Sequence, residues 1–219
     1  MARIYLDNKK KSWLDVFQLP DHIKTKAKEL LFAHPTDLED TVVVFDKNTQ
    51  EYVDKKIFRK YKSYLNVPGF DPTTKKSYMF SSSREAEQRF VPLPEQAKPV
   101  LDFLKNNSLD DFNQAVLNWY SSGSEYIEMH SDCEKKLKPG STIAIATITD
   151  AEDEEIRELV FQSRDDYNKA ETVNGFSVRL EDGSVVIMGG DFQKAFRHGL
   201  MPLETNSKRL SLTFRETNY

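Results

Sequence analysis

Only four histidines occur in the 219 residues, and one of them opens the triplet His130-Ser131-Asp132. On an extended backbone, residues two apart point to the same face, so this imidazole and carboxylate can grip a single ion. The same triplet also arises as an ordinary surface pair, a standing risk with short motifs. A second pattern lies near the end of the chain. In Arg209-Leu210-Ser211-Leu212-Thr213-Phe214-Arg215 the alternation puts Arg209, Ser211, Thr213 and Arg215 on one face and Leu210, Leu212 and Phe214 on the other. If the apolar face is packed, two guanidiniums point into a barrel, which is costly unless they meet anions. Otherwise the strand simply shows a polar face to water. Asn118-Trp119-Tyr120 and Gly123 lie upstream, and Gly189-Gly190-Asp191-Phe192-Gln193 leads to Phe196-Arg197-His198-Gly199.

These residues need rigid elements to hold them. Ser141–Thr149 is β-branched and alternating, and Phe176–Leu180 and Val185–Met188 flank Glu181-Asp182-Gly183-Ser184. Asp-Gly supplies the positive φ angles of a tight turn, so that stretch is expected to be a hairpin. Several short strands with turn signals point to a sandwich or barrel with helices packed outside. The first third reads as helical and loop-rich. Asp21 is expected to cap a helix with Ile23, Ala27, Leu30 and Leu31 on its apolar face, closed by Pro35. A second helix is expected from Pro99 to about Asn106, with Val100, Leu101 and Leu104 inward and Pro99 in its first turn.

Taken together, Asn-x-Tyr, Gly, His-x-Asp, a distant His and Arg-x-Ser-x-Thr-Phe-Arg resemble the AlkB-like family of iron(II)/2-oxoglutarate dioxygenases, over roughly Ser77 to Arg215. The resemblance implies an α+β fold, with a double-stranded β-helix (jelly-roll) core over 77–219 flanked by N-terminal helices. Residues 1–76 would be an extension with a substrate-recognition role. It implies Fe(II) held by His130, Asp132 and His198, since two histidines and one carboxylate leave coordination sites open for co-substrate and dioxygen. The far carboxylate of 2-oxoglutarate would meet Arg209, helped by Ser211 and Tyr120, because a planar, permanently charged fork fits a carboxylate. Arg215 and Asn118 would serve the metal-side carboxylate.

The substrate expectation follows the same resemblance. Ser77-Tyr78-Met79-Phe80-Ser81-Ser82 is similar to the base-pocket wall of nucleic-acid demethylases, which implies that Phe80 stacks on a flipped base with Tyr78 nearby. Glu134 would touch that base. Between Val53 and Lys76, Lys55, Lys56, Arg59, Lys60, Lys62, Lys75 and Lys76 oppose only Asp54 and Asp71, with Phe58, Tyr61, Tyr64 and Phe70 interleaved. Such a stretch can track phosphates and stack bases, or it can be a solvated segment. Phe58 itself is expected to be buried.

The net charge of −4 disfavours a broad duplex-DNA coat, so the expected partner is methylated single-stranded DNA or RNA. The alternative substrate is a protein side chain, a lipid or a small molecule. With 38% hydrophobic and 30% charged residues the chain is neither disordered nor fibrous. A single cysteine, Cys133, excludes a disulfide within this chain and any multi-cysteine zinc site. No apolar run reaches the roughly 18–20 residues of a membrane span, and the amino terminus turns polar too soon for a secretory signal. The expectation is an intracellular monomer, cytoplasmic or nuclear.

Overall fold

The alternation of Arg209–Arg215 becomes an interior strand of a large sheet, buried along its whole length. A computed structural model describes residues 2–33, 35, 38–46, 48–65, 92–107, 110–134, 137–164 and 175–217. In chain order the elements are β1 (Ala2–Tyr5), β2 (Ser12–Gln18), α1 (Asp21–Phe32), β3 (Glu39–Asp46), β4 (Glu51–Leu65) and α2 (Lys98–Asn107). Then follow β5 (Gln114–Tyr120), β6 (Ile127–His130), β7 (Ile143–Thr149), β8 (Glu158–Ser163) and β9 (Gly175–Arg179). The last are β10 (Ser184–Gly190), α3 (Phe192–Ala195), β11 (Phe196–Leu200) and β12 (Arg209–Arg215). An eight-stranded sheet runs β1-β2-β10-β7-β12-β5-β4-β3, and a four-stranded sheet runs β6-β11-β8-β9. The paired strands are antiparallel, and the chain crosses between sheets, as in a jelly roll.

Two apolar layers hold the sheets. On the outer face of the large sheet, Leu210, Leu212 and Phe214 of β12 pack with Leu117 and Trp119 of β5 beneath both helices. Helix α1 contributes Ile23, Ala27, Leu30 and Leu31, and α2 contributes Val100, Leu101 and Leu104, the faces their spacing foretells. The Trp119 Nε1–H donates to the Leu30 carbonyl at 2.9 Å and ties α1 to the sheet. Between the sheets, Ile143, Ile145, Val186 and Met188 meet Leu159, Phe161, Phe196 and Leu200. Each fully buried leucine in these layers contributes about 1.5–3 kcal/mol relative to exposure.

Three sequence expectations are corrected. First, the initial third is not mainly helix and loop: its described residues supply β1, β2, β3 and β4, all in the large sheet. The lysines of β4 disguise a strand whose conformation is set by its partner β5, with Lys60 opposite Trp119 and Tyr61 opposite Asn118. Second, Asp182-Gly183 does not close a hairpin. Strand β9 pairs with β8 in the small sheet, whereas β10 pairs with β2 and β7 in the large one, so this turn carries the chain from sheet to sheet. Gly183 does adopt the expected positive φ of 84°. The Asp182 carboxylate accepts from the Thr149 amide at 3.0 Å, anchoring the turn to β7 rather than to β9. Third, Asp21 is not the cap of α1. Pro20 holds that position, and Asp21, in the first turn, pairs with Lys24 at 2.9 Å.

No helix among the described residues is long and apolar enough to cross a membrane.

Candidate active site

Strand register assembles the site. His130 ends β6 and His198 lies within β11, and the two residues are direct cross-strand partners. Opposed residues in an antiparallel pair share a face, so the rings meet, with centroids 4.4 Å apart. His130 Nδ1 lies 2.8 Å from the Glu128 carbonyl, which can only accept, so Nδ1 is the donor in that contact. Asp132 follows β6 in a pinned loop. Gln193 Oε1 accepts from the Asp132 amide at 2.9 Å, and the Ser131 hydroxyl donates to the Phe196 carbonyl at 2.8 Å.

The inner face of β12 meets the inner face of β5 in the same manner. Arg209 is opposite Tyr120, and Ser211 is opposite Asn118. A cavity open at its mouth is lined by Asn118, Tyr120, His130, Asp132, His198, Arg209, Ser211 and Arg215, with Thr213 and several aliphatic side chains. All eight residues expected to hold metal or co-substrate therefore share one cavity. The fold forces this, since the opposite face of β12 is occupied by Leu210, Leu212 and Phe214 under the helices.

The electrostatics divide the cavity into two ends. Burial alone would raise the Asp132 carboxyl, but the Arg215 guanidinium, 2.9 Å from its Oδ1, and the two imidazoles pull it down to about 2. Burial and neighbouring His130 push His198 down to about 3, so its imidazole is neutral at physiological pH. At the other end burial lowers Arg209 to about 10, with Tyr120 partly offsetting it. Arg209 Nη2 donates to Thr147 Oγ1 at 3.0 Å, and its Cζ lies 5.2 Å from the Tyr120 ring centroid.

Among the described residues, Asp132 Oδ2, His198 Nδ1 and Arg209 Nε are buried without a hydrogen-bond partner. No group of three acidic, histidine or cysteine side chains at metal-ligand spacing occurs among the described residues. Two imidazoles and a carboxylate, with Asp132 Oδ2 and His198 Nδ1 not spent on described protein partners, form the donor set that suits non-haem iron(II).

The residues expected to meet substrate are placed differently. Glu134 is exposed on the loop beyond Asp132 and does not line the cavity. Tyr78 and Phe80 lie outside the described residues. Phe58 is not buried: it is 52% exposed and stacks on Tyr126, ring centroids 4.6 Å apart. The cause is a backbone bond from the Tyr126 amide to the Phe58 carbonyl, which joins β4 to the approach of β6 at the surface. Lys55 pairs with Glu128 at 2.7 Å.

Sequence reasoning missed three residues here. Gln193 lay in a glycine-flanked segment already noted, but nothing local marked it as a partner of the Asp132 loop. Arg157 is buried, donates to the Met201 carbonyl at 2.6 Å, and places its Cζ 5.5 Å from the Tyr120 ring on which Arg209 also rests. Burial lowers its pKa. Arg59, counted above among the surface cations, is buried and donates from Nε to Asn118 Oδ1 at 2.8 Å.

Known proteins agree with this architecture. Residues 18–215 match the model of the 2OG-Fe(II) oxygenase superfamily. A human protein named DNA oxidative demethylase ALKBH2 (Homo sapiens) is 27% identical over 143 residues, 64% of this chain and 52% of its own length. Its mouse counterpart (Mus musculus) is 28% identical over 144 residues, 64% of this chain and 56% of its own. The match thus spans about half the length of these relatives. The solved structure of a Pseudomonas putida prolyl-4-hydroxylase superposes with a TM-score of 0.51 at 16% identity, covering 95% of this chain and 94% of that one, a likeness of fold. The family match spans most of the chain, and one cavity gathers two imidazoles, a carboxylate and two arginines: the chain belongs to the 2OG-Fe(II) oxygenase superfamily, whose members work with Fe(II) and 2-oxoglutarate.

Proposed function

We propose that this chain is an oxidative demethylase of N-alkylated bases in DNA or RNA, with single strands favoured. The observation that carries the reading is the double register of His130 with His198 and of Arg209 with Tyr120, which lines one cavity with metal donors and a carboxylate fork. The names of the relatives at 27–28% identity support the substrate class. In the reaction, N–CH3, 2-oxoglutarate and O2 give N–CH2OH, succinate and CO2, and the N–CH2OH then releases formaldehyde and leaves N–H.

In this reading His130, Asp132 and His198 hold Fe(II), which supplies the activation of dioxygen when bound. Arg209 receives the far carboxylate of 2-oxoglutarate as a two-pronged donor, with Ser211 and Tyr120 adding hydroxyls. Asn118 and Arg215 face the near carboxylate, and Arg215 also fixes Asp132 through their 2.9 Å pair. Burial keeps Arg209 dry and its attraction strong. Residues 1–76 take the recognition role, with the lysines of β4 near the phosphates and the exposed Phe58–Tyr126 stack beside the strand that carries His130. Tyr78, Phe80 and Glu134 complete the proposed substrate contacts.

The test is a panel of methylated DNA and RNA oligonucleotides, single- and double-stranded, incubated with Fe(II), 2-oxoglutarate and ascorbate. Loss of one methylene mass, matched by formaldehyde and succinate, is the expected result. Succinate formed only with a methylated peptide, lipid or metabolite would move the chain to that alternative substrate.

A further inference from the structure

Arg59 sits in the most basic stretch of the chain, yet it does not behave as a surface cation. Its neighbours Lys56 and Lys60 are exposed, while Arg59 retains only 7% of its surface. The reason is the strand. Tyr61 is the direct partner of Asn118, and Arg59, two residues earlier, shares its face, the sheet face from which Asn118 reaches the cavity. There the Arg59 Nε–H donates to Asn118 Oδ1 at 2.8 Å.

A guanidinium has donors and no acceptor. The amide of Asn118 therefore has to present its oxygen to Arg59 and its NH2 on the other branch, in the side chain that lines the cavity. Were the amide reversed, two sets of N–H donors would face each other at Arg59 and a carbonyl oxygen would face the incoming carboxylate. We infer that Arg59 is a positioning residue for the co-substrate pocket, fixing Asn118 so that its NH2 donates to the metal-side carboxylate of 2-oxoglutarate. The inference rests on the co-substrate role given to Asn118 above and does not depend on the nucleic-acid substrate.

The test separates donor position from charge. Glutamine carries its amide nitrogen the same number of bonds from the backbone as Nε of arginine, so Arg59→Gln keeps the donor and removes the charge. Methionine fills similar space with neither. Binding of 2-oxoglutarate to the iron-loaded protein is measured anaerobically by calorimetry, alongside the KM for 2-oxoglutarate in uncoupled succinate formation. Oligonucleotide affinity is read at two salt concentrations. Arg59→Met should weaken 2-oxoglutarate by about 10- to 100-fold, the effect of a lost hydrogen bond to a charged group. It should raise KM more than it lowers kcat. Arg59→Gln should stay within about twofold of wild type, and in an Asn118→Ala background Arg59→Met should add less than about twofold.

Equal loss of 2-oxoglutarate affinity in the Gln and Met variants would mean that charge rather than the donor acts, and the inference falls. Unchanged 2-oxoglutarate affinity in Arg59→Met, with weaker oligonucleotide binding and a flatter salt slope, would make Arg59 a phosphate contact and also overturn it. Should Arg59→Met fail to fold, Arg59→Gln decides: weakened 2-oxoglutarate binding in that variant refutes the inference. An inactive oligonucleotide panel leaves these binding results readable, so failure of the substrate reading is distinguishable.

Discussion

Replacing Arg209 by lysine probes the far-carboxylate end of the cavity with a charge-conserving change. Arg209 is 4% exposed, one of its terminal nitrogens is bound to Thr147, and its Nε is unspent among the described residues. A lysine at this position retains a point charge and loses the planar fork that matches a carboxylate. Losing one charge-assisted bond costs about 1.5–3 kcal/mol, which corresponds to a rise of roughly 10- to 150-fold in KM for 2-oxoglutarate. The same burial adds a pH signature. It already brings the guanidinium down to about 10, and an ammonium, starting about two units lower, would be carried toward neutral pH. A deprotonated lysine has no charge to offer, so KM in the variant should climb further as pH rises from about 6.5 to 8.5, while wild type stays flat. Initial rates of succinate formation against 2-oxoglutarate at several pH values read both effects. An unchanged KM at every pH would mean that Arg209 does not meet the co-substrate, and the inward register of β12 would lose its functional meaning.

His130→Ala, Asp132→Ala and His198→Ala should each abolish succinate formation while retaining a cooperative melt; near-wild-type turnover of any of them under saturating iron would refute the ligand assignment. In the metal-free protein, His198 is held neutral below its unfolded pKa of 6.5 down to about 3, so the unfolded state takes up the proton first. Stability should therefore fall as pH drops below 6.5, by at most about 1.4 kcal/mol per unit from this group. Asp132, lowered from 3.8 to about 2, adds stability above 3.8 that is lost as pH falls toward 2. Melting temperatures across that range, compared with His198→Gln, check the sign, and a flat wild-type profile would contradict it. Leu212→Ala, at a fully buried position under the helices, should cost about 2–5 kcal/mol in urea unfolding, and a loss below 1 kcal/mol would show that the outer layer is not packed as described.

Local periodicity determined the parts whose partners are simply inside or outside. The alternation of Arg209–Arg215 depends only on the two-residue period of a strand, and its Leu210, Leu212 and Phe214 face is buried as that period requires. The apolar faces of α1 and α2 were legible for the same reason, and the resemblance added the roles expected of the cavity residues. Which strands pair was decided only in three dimensions. Nothing local shows that the Asp182-Gly183 turn joins two sheets, because an Asp-Gly pair supplies the same backbone angles whether its flanking strands pair with each other or with distant ones. His130 and His198 are far apart in sequence, and their contact comes from the pairing of β6 with β11. Arg59 shows the limit most plainly. Its lysine-rich neighbours make it look like one more solvated cation, and only the pairing of β4 with β5 turns its side chain onto Asn118, which lines the cavity. Charge composition is a property of a segment, but burial is a property of the partner that the segment finds.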